Sequence, residues 1–378
     1  MTRFAIPDGV QLSPASSPTQ GSPTESRTAI QRCLFVGLGG IGQRHLRNLR
    51  ALLGDSVEVV AYRVRRERQT LDDHLQVVPG VDLEQKYGVS TCSDLEQALA
   101  SRPDVVFITN PSSLHVPVAL AAARHGCHLF IEKPLSHSLA QVNELAALCD
   151  AQNLVTCVAY QLRHHPGFLR MRELLGESAV GQLLSVRAEV GEYLPGFHPY
   201  EDYRRMYAAQ STLGGGVTLS QIHEIDYLCA LFGAPRRVFS MGGHVSSLEI
   251  DVDDVALSLL EFPRAGGGSL FVELHQDFVQ RPAQRSLTVI GERGRLVWSL
   301  SGRYLEHADE SGKVIERQNY ADFPRNQAFL DELANFFGCV IRGEQCTPSL
   351  RDGALSLEVA VALLASQAEG VQKKIEVR

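Results

Sequence analysis

Several features that would assign this chain to other protein classes are missing from its sequence. It has 36 Lys or Arg against 43 Asp or Glu, and no basic run is long enough to follow a phosphate backbone, so a nucleic-acid partner is not expected. The eight cysteines never form a C-x-x-C pair, which argues against a structural metal site and favours a reducing compartment. No window approaches the ~18 apolar residues of a membrane span, and the N-terminus lacks the layout of a signal peptide. We therefore expect a soluble, cytoplasmic protein that binds neither a membrane nor a metal.

The sequence divides into three segments. Residues 1–29 are rich in Pro, Ser and Thr, with too few apolar groups to offset the entropy of ordering them, which predicts a disordered extension. In residues 30–160, short β-rich runs alternate with helical stretches, a pattern typical of a parallel sheet covered on both faces. In residues 161–378, longer β-rich runs follow one another with turn signals between them, which favours an open, mostly antiparallel sheet. The fold class is therefore α/β, with two ordered domains.

Three helices can be placed from local patterns. Ser93 and Glu96 have the spacing of a capping box, which predicts a helix start. Within the third segment, the pattern predicts helices over about 215–231 and 351–366.

The stretch "VGLGGIGQRHL" carries a G-x-G-x-x-G pattern at Gly37, Gly39 and Gly42. It follows a strand and precedes a helix. In this context the first glycine permits a tight turn, the second lets a pyrophosphate approach the backbone, and the third lets helix and strand pack closely. The stretch predicts a dinucleotide site in a Rossmann domain, with Gly40 and Ile41 in the same turn.

The end of the next strand bears on the choice of dinucleotide. An acidic residue is usual there for the ribose hydroxyls, but this chain has Tyr62, Arg63, Arg65 and Arg66. A basic strand end can receive a 2′-phosphate, and Arg63 could also stack on adenine, whereas Arg65 and Arg66 suit a solvated loop equally well. The sequence favours NADP slightly and leaves NAD open.

Four stretches in this order, "GLGGIGQRHL", "ITNPSSLH", "IEKPL" and "LGGGVTLSQIHEIDYL", resemble the motifs of the glucose-fructose oxidoreductase / inositol dehydrogenase (Gfo/Idh/MocA) family. The resemblance runs from about Gln31 to the C-terminus. It implies a Rossmann domain followed by an α/β domain whose open sheet mediates a homo-oligomer, a dimer or a tetramer. The implied activity is NAD(P)-dependent oxidation or reduction at a secondary alcohol of a sugar, nucleotide sugar or cyclic polyol. The resemblance does not specify the substrate.

The resemblance also implies roles for residues of the first domain. In the "EKP" motif, Glu132 would lie near the nicotinamide ribose, Lys133 would act on the substrate hydroxyl, and Pro134 would hold the turn that aims both. Further residues match positions beside the cofactor; these are Thr109, Asn110, Pro111, His115 and Arg163.

His223, on the predicted helix of the second domain, is the other catalytic candidate. Ser220 and Asp226 lie three residues to either side of it, on one stripe of the helix. Many family members carry an aspartate one turn before this histidine, where Ser220 stands in this chain. Proton transfer would then depend on Lys133 and His223 alone, or Glu224 or Asp226 would orient the imidazole.

The loop "EVGEYLPGFHPYEDYRRMY" combines aromatic, charged and histidine residues after a strand. Loops on a rigid sheet commonly carry binding groups, and a polyol requires hydrogen-bonding side chains beside an apolar surface. We expect His198, Tyr203, Arg204 and Asp226 on the substrate side, although an oligomer contact would explain the loop almost as well.

Two other functions remain open. The chain could be a cofactor-binding regulator that keeps the fold without the chemistry, although the presence of Lys133 and His223 argues against this. It could also be a glycosidase that oxidises and re-reduces its substrate on one bound NAD, in which case no free NADH would accumulate.

Overall fold

The computed structural model describes residues 29–63, 69–198, 200–264 and 266–376. The predicted extension therefore lies almost entirely outside the described residues, as do Arg65 and Arg66. Within the described ranges, no helix is both long enough and apolar enough to cross a membrane.

A six-stranded parallel sheet forms the first part of the molecule. Its strands are β1 (Arg32–Val36), β2 (Glu58–Tyr62), β3 (Val89–Cys92), β4 (Val105–Ile108), β5 (His128–Glu132) and β6 (Thr156–Ala159). They are arranged in the order β3-β2-β1-β4-β5-β6. Every residue of β4 is buried, as are four of the five in β1 and in β5, because helices cover both faces of the sheet.

Helices connect these strands and continue into the second part. The first five are α1 (Gly40–Leu53), α2 (Leu83–Tyr87), α3 (Leu95–Ala100), α4 (His115–Arg124) and α5 (Val142–Ala151). The remaining five are α6 (Pro166–Gly176), α7 (Val217–Ser220), α8 (His223–Phe232), α9 (Gln327–Arg342) and α10 (Leu350–Glu369).

The second sheet has nine strands. They are β7 (Leu183–Gly191), β8 (Arg237–Gly243), β9 (Val255–Pro263), β10 (Ser269–Asp277), β11 (Gln284–Gly291), β12 (Gly294–Ser299), β13 (Tyr304–Asp309), β14 (Val314–Asn319) and β15 (Lys373–Lys374). Their order is β14-β13-β12-β11-β7-β10-β9-β8-β15, antiparallel except for the β7–β10 pair. The predicted fold class is confirmed.

One face of the second sheet is covered and the other is open. Helices α6, α8 and α10 pack on the covered face. The open face carries four large apolar side chains that are 52–64% exposed. They are Met241, Leu257, Leu259 and Phe271.

Helix α9 returns from the second part of the chain to the first sheet. Its Phe336 ring lies 5.4 Å from the ring of Phe130 on β5, and its Phe337 ring lies 6.3 Å from that of Phe107 on β4. Helix α9 also packs beside α1. The core of the first sheet is therefore completed by residues more than 200 positions away in the chain.

Several local predictions need correction. The cap of α3 is Asp94, whose side chain accepts the Gln97 N–H, rather than Ser93, because the helix begins one residue later than predicted. The predicted helix over 215–231 is two helices, α7 and α8, interrupted at residues 221–222. The final helix starts at Leu350 behind a capping box of Ser349 and Asp352.

Candidate active site

The glycine-rich turn between β1 and α1 is tightly packed on one side and open on the other. Gly37 has a φ of 102°, and a Cβ there would lie 3.0 Å from the backbone of Thr109 and Asn110. A Cβ at Gly42 would lie 2.6 Å from the carbonyl oxygen of Gly37, so only glycine allows α1 to approach the turn this closely. Around Gly39, in contrast, nothing lies within 4 Å of the corresponding position. The turn is thus accessible to a ligand.

The first turn of α1 supplies the hydrogen-bond donors of this open side. Gly40 and Ile41 begin the helix, and the first N–H groups of a helix have no partner within it. Together with the helix dipole, such N–H groups attract a phosphate.

The loop after β4 lies beside the glycine turn. Thr109 Oγ1 donates to the Gly37 carbonyl at 2.7 Å. Asn110 Oδ1 is buried and has no hydrogen-bond partner among the described residues, which suits a hydroxyl of a bound ligand. The His115 ring nitrogens lie 2.8 Å from Asn110 O and 2.9 Å from Pro134 O. His115 therefore connects the loops after β4 and β5, and because burial lowers the pKa of His115, the neutral ring donates to one of these two carbonyls.

The end of β5 carries the Glu-Lys-Pro motif. Glu132 is 7% exposed, its Oε1 lies 2.6 Å from His45 Nε2, and its Oε2 accepts the Lys133 N–H at 3.1 Å. The Lys133 side chain reaches the second part of the molecule, where Nζ donates to the Ser220 carbonyl at 2.9 Å. The Lys133–Pro134 peptide bond is cis. One strand end thus positions a buried carboxylate and, next to it, an amine that contacts the end of α7.

His223 begins α8, three residues after Ser220. Burial lowers the pKa of His223 well below 6.5, and the positive charges of Lys133 and Arg285 lower it further. The imidazole is therefore neutral at pH 7. Its Nδ1 has no partner in the part of the chain that the structure describes, and its ring packs edge-on to Tyr160 with centroids 5.7 Å apart. A neutral imidazole can exchange hydrogen bonds with a hydroxyl without adding charge.

The two carboxylates closest to His223 in the sequence bind arginines. Arg163 donates to both oxygens of Asp226, at 2.6 and 2.9 Å, and to Asp352 at 2.9 Å. Glu224 accepts two bonds from Arg285, at 2.6 and 2.8 Å. Burial raises the pKa of Asp226 to about 6, and Arg163 limits the rise. The geometry therefore argues against assigning Asp226 to the substrate and Arg163 to the cofactor, because their polar atoms bind each other inside the protein.

The substrate-side candidates of the loop after β7 are held by surface contacts. Arg204 pairs with Asp202 at 2.7 Å and with Glu249 at 2.9 Å, and the Tyr203 hydroxyl accepts the Glu249 N–H at 3.2 Å. His198 Nδ1 lies 2.6 Å from a carboxylate of the same loop. These contacts order the loop, and a role in substrate binding stays a prediction for His198, Tyr203 and Arg204.

Sequence reasoning misses Tyr200, which joins the loop to the cofactor side. Its hydroxyl lies 2.6 Å from the position that a Cβ of Gly40 would occupy, at the start of α1. Its ring stacks on His198 with centroids 5.2 Å apart. The available signal is the cluster of rings in "FHPYEDY", which indicates a binding loop but not which ring reaches across.

His45 and Glu332 are also missed. His45 on α1 is fully buried against Glu132, and Glu332 on α9 is fully buried as well. The signal for His45 is its position one turn after Gly42. The signal for Glu332 is an acidic residue on the apolar stripe of a helix, between Phe329 and Phe336.

The residues present fit a dinucleotide better than a metal. The open space at Gly39 and the Asn110 Oδ1, which lacks a partner among the described residues, suit a pyrophosphate and ribose. No group of three or more His, Cys, Asp or Glu within the described ranges is arranged to hold a metal ion. Contacts of a dinucleotide with Gly37, Gly39, Gly40, Ile41, Thr109, Asn110, Pro111, His115, Glu132 and Lys133 stay a prediction, to which the structure adds Tyr200 as a neighbour of Gly40.

Comparisons with known proteins agree with this description. The myo-inositol 2-dehydrogenase of Thermotoga maritima is 25% identical over 351 residues, which cover 90% of this chain and 97% of that protein. The 1,5-anhydro-D-fructose reductase of Ensifer adhaerens is 26% identical over 288 residues, which cover 74% of this chain and 83% of that protein. A solved structure of levoglucosan dehydrogenase in complex with NADH covers 92% of this chain with a TM-score of 0.77 at 19% identity, over 100% of its own length.

Two family models match in succession along the chain. Residues 31–160 match the oxidoreductase family with the NAD-binding Rossmann fold, and residues 168–297 match the GFO/IDH/MocA C-terminal domain. Their order is the order of the two sheets. The chain therefore belongs to the Gfo/Idh/MocA family of oxidoreductases.

Proposed function

We propose that this protein transfers hydride between a nicotinamide dinucleotide and a secondary alcohol or ketone of a sugar, nucleotide sugar or cyclic polyol. The observation that carries the proposal is the contact of Lys133 Nζ with the Ser220 carbonyl, three residues before His223. It brings an amine from the end of β5 and a neutral imidazole from α8 to one cleft beside an open dinucleotide turn. Relatives named for inositol, levoglucosan and anhydrofructose chemistry support the substrate class.

Lys133 and His223 have different roles in the proposed reaction: Lys133 transfers the proton, and His223 orients the reacting oxygen. Bound nicotinamide supplies the hydride acceptor or donor. When a ketone is reduced, the Lys133 ammonium donates a proton to the oxygen that gains negative charge, and when an alcohol is oxidised, the Lys133 amine accepts the hydroxyl proton. His223, which is neutral, orients the same oxygen through a hydrogen bond. Ser220 holds Lys133 toward the cleft through its backbone carbonyl.

Turnover with a panel of compounds tests the proposal. The purified protein is mixed with NAD or NADP and with sugars, nucleotide sugars and cyclic polyols, and the absorbance of reduced nicotinamide is followed. Thermal stabilisation by each cofactor is measured in parallel, because a ligand that binds the native state raises the unfolding midpoint. We expect reduced cofactor to accumulate with at least one polyol. Cofactor binding without turnover would favour a regulator, and glycoside cleavage without accumulation of NADH would favour a glycosidase.

For the cofactor, we propose that NADH binds at least as tightly as NADPH, which reverses the slight preference drawn from the sequence. Arg63 Nη1 lies 3.4 Å from Glu84 Oε1, so a carboxylate offsets the charge that would attract a 2′-phosphate. NADH is also the cofactor in the levoglucosan dehydrogenase structure. Glu84→Gln should therefore strengthen NADPH binding several-fold and leave NADH binding nearly unchanged, as measured by nicotinamide fluorescence. Equal changes for both cofactors would show that Glu84 does not face the 2′-position.

We further propose that the open face of the second sheet is buried in a homo-oligomer. Phe271 and Leu259 are 62% and 58% exposed there, and a broad apolar surface is unusual in a monomer. The double variant Phe271→Asp, Leu259→Asp should lower the molar mass measured by light scattering at micromolar concentration. Val371→Asp, an exposed apolar position outside this face, is the control. A monomeric parent protein would contradict the proposal.

A further inference from the structure

Glu332 is an acidic side chain in the interior of the molecule without a compensating partner. It is 0% exposed, and neither carboxyl oxygen has a hydrogen-bond partner in the described part of the chain. An ionised carboxylate in such a place is strongly disfavoured unless it is paired. The reaction proposed above does not use this residue, so its presence requires an explanation.

Ring contacts on either side of Glu332 define where it points. Phe329, three residues earlier on α9, has its ring 6.1 Å from the imidazole of His45. Phe336, four residues later, has its ring 5.4 Å from Phe130 on β5. Residues at these spacings share one face of a helix. Glu332 therefore faces the region between His45 and Phe130.

Glu132 lies on the same side of β5. Phe130 and Glu132 are two residues apart in the strand, and alternate residues of a strand point to the same face. His45 confirms the placement, because it packs on the Phe130 ring with centroids 4.9 Å apart and contacts Glu132 at 2.6 Å. The strand end that presents Lys133 is thus flanked by two buried carboxyl groups, Glu132 and Glu332.

The two carboxyl groups differ in their hydrogen-bond donors. Glu132 has the His45 ring at one oxygen and the Lys133 N–H at the other. His45 Nδ1 has no partner among the described residues, so Nε2 is the ring nitrogen that contacts Glu132. Among the described residues, Glu332 has no donor in hydrogen-bonding geometry, and only the Tyr160 backbone N–H favours its ionised form. The contacts of Glu132 stabilise its ionised form, so a proton shared by the two carboxyl groups lies on Glu332.

We propose that Glu332 stays protonated beside the Glu132 carboxylate, so that the end of β5 next to Lys133 carries one negative charge instead of two. Glu332 acts through Glu132 and is therefore a positioning residue. The assignment of Glu132 to the nicotinamide side rests on the proposed function, whereas the location of the proton does not.

Electrostatics supports this location of the proton. Burial raises the pKa of Glu332 well above 4.5, the carboxylate of Glu132 raises it further, and the backbone of Tyr160 opposes the rise. His45 on α1 faces the same region, and the remaining groups named here are acids and thiols, which oppose a second negative charge. They are Asp226 on α8, Cys346 before α10 and Cys157 on β6.

A single charge at this position has a consequence for the cofactor. Oxidised nicotinamide carries a positive ring and reduced nicotinamide does not, so Glu132 alone should favour NAD over NADH. Two carboxylates would strengthen this preference and hold the oxidised form on the protein. Because Glu332 is uncharged, the preference for NAD over NADH stays moderate. This suits a site that must release both the oxidised and the reduced cofactor.

Infrared spectroscopy and pH-dependent unfolding locate the proton without any substrate or cofactor. A difference spectrum of the parent protein minus Glu332→Gln at neutral pH should contain the carbonyl band of a protonated carboxylic acid. In the unfolded chain this glutamate releases its proton above about pH 4.3. Because its folded pKa is raised, the parent should lose stability relative to Glu332→Gln as the pH rises from that value toward the folded pKa. Glu310→Gln, an exposed position, should show neither effect. The absence of the band, or a stability difference that does not change with pH, would overturn the proposal.

Cofactor binding tests the charge at the strand end. Glu132→Gln should weaken NAD more than NADH, by about five-fold or more for a charge lost in a partly buried site. Glu332→Gln at neutral pH should change the ratio of the two dissociation constants by less than about two-fold, because it replaces an uncharged group. A similar change of the ratio in both variants would mean that Glu332 is ionised. If neither cofactor binds the parent, the proposed function fails, and the spectroscopic result still decides where the proton lies.

Discussion

Replacing Lys133 with Met is expected to lower kcat by a factor of about 10² to 10⁴, the usual contribution of a positioned acid or base. Methionine keeps the length of the stem but removes both the ammonium and its bond to the Ser220 carbonyl. Cofactor affinity should stay within a few-fold of the parent value, because the glycine turn and Asn110 are untouched. Steady-state kinetics on the substrate found by screening, with NADH binding measured separately, checks this result.

Two companion variants sharpen the test of Lys133. Lys313→Met removes an exposed lysine on the second sheet and should leave kcat unchanged. His223→Asn should lower kcat less than Lys133→Met if the imidazole only orients the substrate, and equally if it is the terminal base. Turnover by both Lys133→Met and His223→Asn within a few-fold of the parent would rule out the proposed proton transfer.

Replacing Arg163 with Met is expected to cost about 3 to 5 kcal/mol of unfolding free energy, the usual effect of breaking a buried ion pair. Asp226, 1% exposed, would keep its carboxyl group without its bidentate partner. Chemical denaturation of the variant and the parent measures the difference. Arg351→Met removes an ion pair with Asp150 whose side chains are 72% and 53% exposed, and it should change stability little.

The loss of unfolding free energy caused by Arg163→Met should be larger at high pH than at low pH. Burial already raises the pKa of Asp226 to about 6 in the parent, and removal of Arg163 raises it further. Because the folded pKa is above the unfolded one, the variant loses stability as the pH rises through this range and regains it as Asp226 is protonated. The destabilisation should therefore be smaller at about pH 5 than at about pH 8. An equal loss at both values would indicate a packing defect rather than an unpaired charge.

Local patterns account for what the sequence predicts correctly. Alternation of strand and helix, the glycine spacing and the runs of β-forming residues each report on neighbours close in the chain, so they predict the two sheets and the turn that joins β1 to α1. Lys133 and His223 stay predictions as catalytic residues, and the sequence singles them out because each lies in a short motif that resembles the family.

The missed contacts depend on distance in space rather than in sequence. Helical spacing predicts Ser220, His223 and Asp226 on one stripe, but it does not show that Arg163, 63 residues before Asp226, binds the aspartate. Because the helix is interrupted at residues 221–222, Ser220 ends α7 and His223 begins α8. Glu332 and Tyr200 likewise reach the site only because α9 and the loop after β7 fold back toward the first sheet.

The return of α9 to the first sheet means that the nucleotide-binding part is not a separable module. A fragment ending near residue 160 would leave the rings of Phe107 and Phe130 and the imidazole of His45 facing water, since Phe329, Phe336 and Phe337 cover them in the whole chain. Exchange of this half between relatives would have to carry α9 with it. Changes at the end of the second sheet are constrained in the same way, because α9, which follows β14, also covers the core of the first sheet.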